Sequence, residues 1–220
     1  MFFEILIEDQ SGEIMLQELL PKMISSDDTF KIHKYKGVGH IPKDLNQTID
    51  PSKRVLLNQL PRLLAGFGRT HASYGETYQA VVIVIVDLDS KCLIDFKQEL
   101  VVILENCTQK PNTLFCLAIE EGEAWLLGDT NAIKDAYPSA KSDILTTYTN
   151  DSICGTWETL ANAIYPKGSS ALKKHPYSVI GAEKCNWASK ITPRMDINNN
   201  KSPSFNYFYK KIKGLVSINN

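Results

Sequence analysis

What this sequence lacks already narrows the field. In 220 residues no apolar run approaches the ~20 needed to span a bilayer, so no membrane role is expected. Neither sign of charge dominates: Lys and Arg total 24 against 25 Asp and Glu, a net of −1. Global attraction to nucleic acid is thereby excluded, and any such contact needs a local patch or a bound metal. The five cysteines (Cys92, Cys107, Cys116, Cys154, Cys185) are odd in number and contain no C-x-x-C pair, which argues against a disulfide framework or a zinc knuckle. His33, His40, His71 and His175 show no ligand spacing such as H-E-x-x-H. The opening stretch MFFEILIED has acids where a secretory leader carries lysines, and no small-residue cleavage site. A reduced, cytoplasmic protein is expected.

What is present is a strand–helix alternation. Phe2 to Ile7 reads as a buried strand, followed by a helix that Ser11 is placed to cap and that Pro21 should kink or end early. Phe30 to Lys36 alternates like a second strand. Ser52 to Phe67 has helical spacing, again with a proline inside (Pro61), and Gly66 to Glu76 reads as polar loop. Ala80 to Val86 is seven apolar, mostly β-branched residues, the mark of a strand covered on both faces. A helix from Lys91 to Asn106, a strand from Thr113 to Ile119 and a helix opening at Ala124 complete the pattern. It predicts an α/β fold with a mostly parallel sheet flanked by helices over residues 1–140. From 141 to 220 the strong strand signals stop, and short helical stretches predict a C-terminal helical extension packed on that core.

The acids are placed where such sheets bind ligands, outside the carboxyl ends of the strands. Glu8-Asp9 follows the first strand, Asp87 and Asp89 the third, Glu121 and Glu123 the fourth. Like charges crowded on one rim raise each other's pKa values and oppose folding, a conflict that a divalent cation removes. Hard oxygen donors without histidine or thiol suit Mg²⁺ or Mn²⁺. Strand alternation sends the Asp87 and Asp89 carboxylates out on the same side, with Leu88 turned into the core. Catalysis there requires Glu8 to meet Asp87 and Asp89 with no lysine standing between them.

Ile5-Leu6-Ile7-Glu8-Asp9 with Ser11-Gly12-Glu13, then Val84-Ile85-Val86-Asp87-Leu88-Asp89, resembles the TOPRIM motifs, a Glu after the first strand and a D-x-D after a later one. Ile119-Glu120-Glu121-Gly122-Glu123-Ala124-Trp125-Leu126 and the tail, Lys184-x-x-Trp187-Ala188 through Ser202-Pro203-Ser204-Phe205-x-x-Phe208, extend the likeness. Together they are similar to a bacterial TOPRIM-like family related to OLD-type nucleases. The resemblance implies a TOPRIM-like fold and metal-dependent phosphodiester hydrolysis on nucleic acid, with DNA favoured over RNA and the choice between them left open. Asp87 and Asp89 would hold Mg²⁺ or Mn²⁺, Glu8 would act as general base or further ligand, and Glu13, Glu121 and Glu123 would complete a second metal position. It also implies an ATP-hydrolysing partner protein, and with it the alternative of a catalytically weak accessory subunit. One position departs from the pattern: where the family has Gly directly after the Glu, this chain has Asp9, and Gly12 is the expected source of turning freedom.

Other readings fit less well. A receiver domain would need its Lys-Pro after a last strand, whereas Lys110-Pro111 precedes one, and a haloacid-dehalogenase-type D-x-D would follow the first strand. Gly37-Val38-Gly39 lacks the third glycine of a dinucleotide loop. Arg69 is placed to approach a phosphate, and the basic last third of the chain offers Lys184 and Lys190 as nucleic-acid contacts.

Overall fold

The structure, a computed structural model, describes residues 1–45, 50–75 and 78–217. The first strand, β1 (Phe2–Ile7), leads into α1 (Gln10–Met23) and then β2 (Thr29–Lys34). A 3-10 turn at Pro51–Lys53 precedes α2 (Leu56–Ser73), β3 (Ala80–Asp87), α3 (Leu93–Glu105) and β4 (Thr113–Ala118). The four strands pair in the order β2-β1-β3-β4, every pair parallel. The expected α/β architecture is therefore present, with β1 and β3 side by side at its centre.

Both faces of β3 are dry. Val81, Ile83 and Ile85 join Phe3, Ile5 and Ile7 on one face, while Val82, Val84 and Val86 join Leu6 on the other. This is why the strand shows no polar alternation. Leu56, Leu60 and Leu64 of α2, with Phe96 and Leu100 of α3, cover the second face. The first is covered by α1 and by the chain beyond β4: α4 (Glu123–Leu127), α5 (Thr130–Ala136), α6 (Ser142–Thr147), α7 (Thr156–Ile164), α8 (Ser169–Leu172), α9 (Tyr177–Ile191) and α10 (Pro203–Ser217). Trp187, Phe205 and Phe208 belong to the same continuous apolar cluster as Phe3 and Ile83. Trp125 stacks on Phe208 at 5.1 Å between ring centres, and its indole N–H donates to Ser204 Oγ at 3.0 Å. The helices after residue 141 thus form a layer of the main core.

Local expectations needed correction in several places. Asp9, not Ser11, caps α1: its Oδ1 accepts from the Gly12 N–H at 2.7 Å, and the Ser11 hydroxyl donates to its Oδ2 at 2.6 Å. Gly12 supplies close approach rather than turning freedom, because a Cβ there would lie 2.7 Å from Ile7 Cγ1. Asp9 itself is extended (φ −143°), so no glycine is needed at that position. Pro21 does not stop α1, which runs on for two residues to Met23. The second strand is Thr29–Lys34 rather than Phe30 to Lys36.

The stretch from Gly66 to Ser73 is helix, not loop; Glu76, the end of that predicted loop, lies outside the described residues. Gly68 belongs to packing. A Cβ on it would stand 1.8 Å from the Gln109 carbonyl oxygen, so its absence lets α2 lie against the turn before β4. Gly66, by contrast, faces open space. Gly68→Ala is expected to cost roughly 1–3 kcal/mol through backbone displacement. Gly66→Ala should stabilise by roughly 0.5–1 kcal/mol through helix propensity. Urea unfolding of the two variants checks the opposed signs.

Candidate functional site

The carboxyl ends of β1, β3 and β4 meet where the sequence places its acids. Glu8 leaves β1 immediately after Ile7 and is 9% exposed; the Gly37 N–H donates to its carbonyl at 2.8 Å. Asp87 ends β3, the direct neighbour of β1, and its carboxyl lies close enough to that of Glu8 for each to shift the other's protonation. Two buried carboxyls this close cannot both be ionised without large cost. Burial, followed by the charges of Asp9 and Asp89, pushes Glu8 up to about 7, against the pull of Asp87's hydrogen bond and of Lys184. Burial, then Glu8's charge, raises Asp87 well above the carboxylate range.

The D-x-D pair does not leave the strand together. Leu88 turns into the second core face as expected, at 3% exposure. The chain then bends: Asp89 is left-handed (φ 50°), and its N–H donates to the Glu120 carbonyl at 2.9 Å. Its carboxylate is 49% exposed and pairs with Lys91 at 3.2 Å, yet it lies close enough to Glu8 to raise that group's pKa. Glu120, its hydrogen-bond partner, is left-handed too (φ 61°). Two such residues without glycine, facing each other across the rim, are a local strain of the kind that gathers at functional sites.

Beyond β4, Glu120 serves the scaffold. Its carboxylate accepts from the N–H groups of Gly155 and Thr156, each at 2.8 Å, from Cys154 N–H at 3.2 Å, and from the Thr156 hydroxyl. Burial alone would raise its pKa; these donors outweigh it and hold the group below the usual range. They tie the rim to the start of α7.

Glu121 and Glu123 meet a cation from the chain itself. Lys184 of α9 reaches in at 13% exposure, its Nζ 3.0 Å from Glu123 Oε2 and 3.6 Å from Glu121 Oε2. Burial alone would lower its pKa. The carboxylates of Glu123, Glu121 and Asp87 more than reverse that and hold it raised. Glu121 is pushed up to about 7 by burial, relieved in part by Lys184 and opposed by Glu123 and Glu120. The lysine is also close enough to Asp87 and Glu8 to shift both groups, so the acids share this rim with a buried cation of the chain itself. Its place on α9 was legible in retrospect: Ile180, Lys184, Trp187, Ala188 and Ile191 form one helical stripe, on which a lysine needs a buried carboxylate partner.

The remaining sequence candidates are elsewhere. Glu13, expected at a second metal position, is one turn into α1, where Lys34 Nζ pairs with it at 2.9 Å and Gln10 Nε2 donates to it at 3.2 Å. Arg69 is exposed on the last turns of α2, which returns the chain to the amino end of the sheet, opposite the acids. Lys190 is exposed, with its ammonium 5.4 Å from the centre of the Tyr137 ring. Lys184, expected to face nucleic acid, is turned inward.

A cavity of about 20 Å³, room for roughly one water molecule, lies among Glu8, Asp9, Asp87 and Glu123, with Met15 and Trp125 on its apolar side. Among the described residues no three His, Cys, Asp or Glu side chains converge as a ready-made metal cage. The donor set nonetheless fits a hard divalent cation. Glu8 Oε2 and Glu121 Oε2 are buried without a hydrogen-bond partner, though the latter faces Lys184 Nζ at 3.6 Å, and the cavity is lined by the carboxylates of Glu8, Asp9, Asp87 and Glu123. Glu8 and Asp87 line the cavity and are the residues that would hold it; Asp89, expected as a further ligand, does not line it and pairs with Lys91 instead.

One sequence family, described as Domain of unknown function (DUF4276), matches residues 7–213. No curated protein and no solved structure matches the chain.

Raised carboxyl pKa values mean that the folded chain keeps protons which the unfolded chain releases near 4.5. In cation-free buffer, stability should therefore fall as pH rises from about 5 to about 8. Glu8→Gln removes the conflict: at pH 8 it is expected to stabilise by roughly 1–3 kcal/mol, with little effect at pH 5. Thermal unfolding at both pH values reads this out, and a destabilised variant at pH 8 would contradict it.

Proposed function

We propose that this chain, which belongs to the DUF4276 family, is a divalent-cation-dependent phosphodiester hydrolase of TOPRIM type acting on nucleic acid, with DNA as the preferred substrate. One observation carries this reading. Glu8 and Asp87 line one small cavity at the carboxyl ends of adjacent parallel strands, with a Glu8 oxygen buried and without a hydrogen-bond partner. Folding opposes such an arrangement, so a function that needs it accounts for its presence.

Bound there, Mg²⁺ or Mn²⁺ would supply Lewis-acid polarisation of a phosphoryl oxygen and a lowered pKa for an attacking water. The protein's own part is separate. Asp87 presents carboxylate oxygen from the end of β3, and Asp89 stands on the strained turn after it. Glu8, beside Asp87, is placed to accept a proton from water. Lys184 neutralises Glu121 and Glu123 and contributes positive potential beside the Glu8–Asp87 pair, where a phosphate charge would be stabilised. With a lysine on those two glutamates and Glu13 held by Lys34, the residues support one cation position better than two.

A second reading has its own support. Lys184 already balances part of the acidic rim, and no three-ligand cage is preassembled among the described residues. An accessory subunit that works only with an ATP-hydrolysing partner protein would show those features.

Cleavage of plasmid DNA, single-stranded DNA and RNA by the purified chain, with Mn²⁺, Mg²⁺ or EDTA, tests the main reading. Cation-dependent cleavage is expected, reduced on the order of a hundredfold or more in Asp87→Asn. Equal activity in wild type and Asp89→Ala would remove that residue from the site. Thermal stabilisation by Mn²⁺ that is lost in Asp87→Asn, without cleavage by the chain alone, would favour the accessory role.

A further inference from the structure

The two edges of the sheet differ. Along β2, Lys31, His33 and Lys34 bring charge to the edge, and the Arg54 guanidinium donates to the Lys34 carbonyl. These are ordinary devices against unwanted strand pairing. The other edge, β4, has none of them. Its six residues, Thr-Leu-Phe-Cys-Leu-Ala, contain no charge and no proline, and its register with β3 runs without a bulge.

The direction of its free hydrogen-bonding groups follows from the ladder. The Val82 N–H donates to the Asn112 carbonyl at 2.8 Å and the Leu88 N–H to the Ala118 carbonyl at 2.9 Å, so the even-numbered residues face β3. In a parallel ladder alternate residues face opposite neighbours, so Thr113, Phe115 and Leu117 turn their N–H and C=O groups outward. Among the described residues no strand pairs with that side.

A groove follows this edge in two stretches of about 340 and 600 Å³, both lined by Tyr207 of α10. Leu93 of α3 contributes apolar surface and is 42% exposed. Lys97 lines the first stretch and Lys210 and Lys211 the second; the one acid among the described lining residues, Asp151, has its carboxylate taken up by the Ser202 hydroxyl and the Ser204 N–H. The ammonium groups of Lys97 and Lys211 lie 5.3 and 5.5 Å from the centre of the Tyr207 ring.

We propose that the outer edge of β4 is a docking site for an extended, acidic peptide segment of a partner protein, which joins the sheet as a fifth strand. Backbone groups at alternate residues give the pairing, the apolar walls accept alternate side chains, and the lysines select acids. A second copy of this chain fits poorly, because pairing β4 with β4 would bring two sets of the same lysines together. A nucleic-acid strand would satisfy the lysines but leave the row of backbone donors and acceptors without matching partners. The inference is independent of the acidic site and stands whether or not the chain cuts DNA.

The test uses the full chain and a fluorescent peptide of alternating Glu and Val, read by anisotropy. Saturable binding is expected. It should weaken by about tenfold or more when the peptide is N-methylated along its pairing edge, since two or more hydrogen bonds are lost. A similar loss is expected in Lys210→Glu with Lys211→Glu. Thr113→Pro should weaken binding as well without unfolding the chain, because a first strand residue with an outward N–H tolerates proline. Absence of binding up to about 1 mM, indifference to N-methylation, equal binding of a Lys-Val peptide, or displacement of the peptide by oligo-dT would each overturn the proposal.

Discussion

The closeness of the Glu8 and Asp87 side chains is the constraint around which this rim is organised. Two acids from neighbouring parallel strands are brought together at low exposure, where mutual repulsion and lost hydration both resist ionisation. The surroundings moderate the conflict without abolishing it. Lys184 brings a positive charge, Asp9 directs its own carboxylate into a helix cap, and Asp89 bends away to meet Lys91. What remains is an excess of negative charge with an unpaired Glu8 oxygen, the condition under which a hard cation binds favourably.

The helices beyond residue 141 take part in this arrangement. α9 lies across α1 and delivers Lys184 to the rim, held by Trp187 and Ile191 in the core beneath it. Glu120 grips the start of α7 through a fan of backbone donors, and Asp151 does the same for α10, accepting from the Ser204 N–H at 2.6 Å. The strand ends are thereby fixed to the helical layer by carboxylates that are satisfied. That of Glu8 is left with an oxygen that meets no hydrogen-bond donor, and Glu121 has only Lys184 at 3.6 Å. Acids of one type thus divide into supports and site groups according to what their oxygens meet.

Much of the architecture was readable from pattern. The unbroken apolar run of β3 announced a central strand, and acids placed after three strands announced which end of the sheet carries them. Where reading failed, the cause was a close approach that no local rule reveals. Gly68 looked like a loop residue because glycine usually is one, yet it serves a helix pressed against the Gln109 carbonyl. Asp9 looked like a defect in a motif, although at an extended φ it needs no glycine and provides a cap. Arg69 lies at the end of the sheet opposite the acids, because α2 carries it back to where the next strand begins.

The sequence by itself determined the parallel α/β layering, the covered central strand and the set of acids at the strand ends, since periodicity and residue type are local and survive without coordinates. Tertiary structure alone decided which acids meet. Strand order put β1 beside β3, and helix packing carried a lysine from far along the chain to Glu121 and Glu123. In a poorly solvated rim a charge interaction is strong and its size is set by separation, so the outcome depends on distances that residue order does not encode.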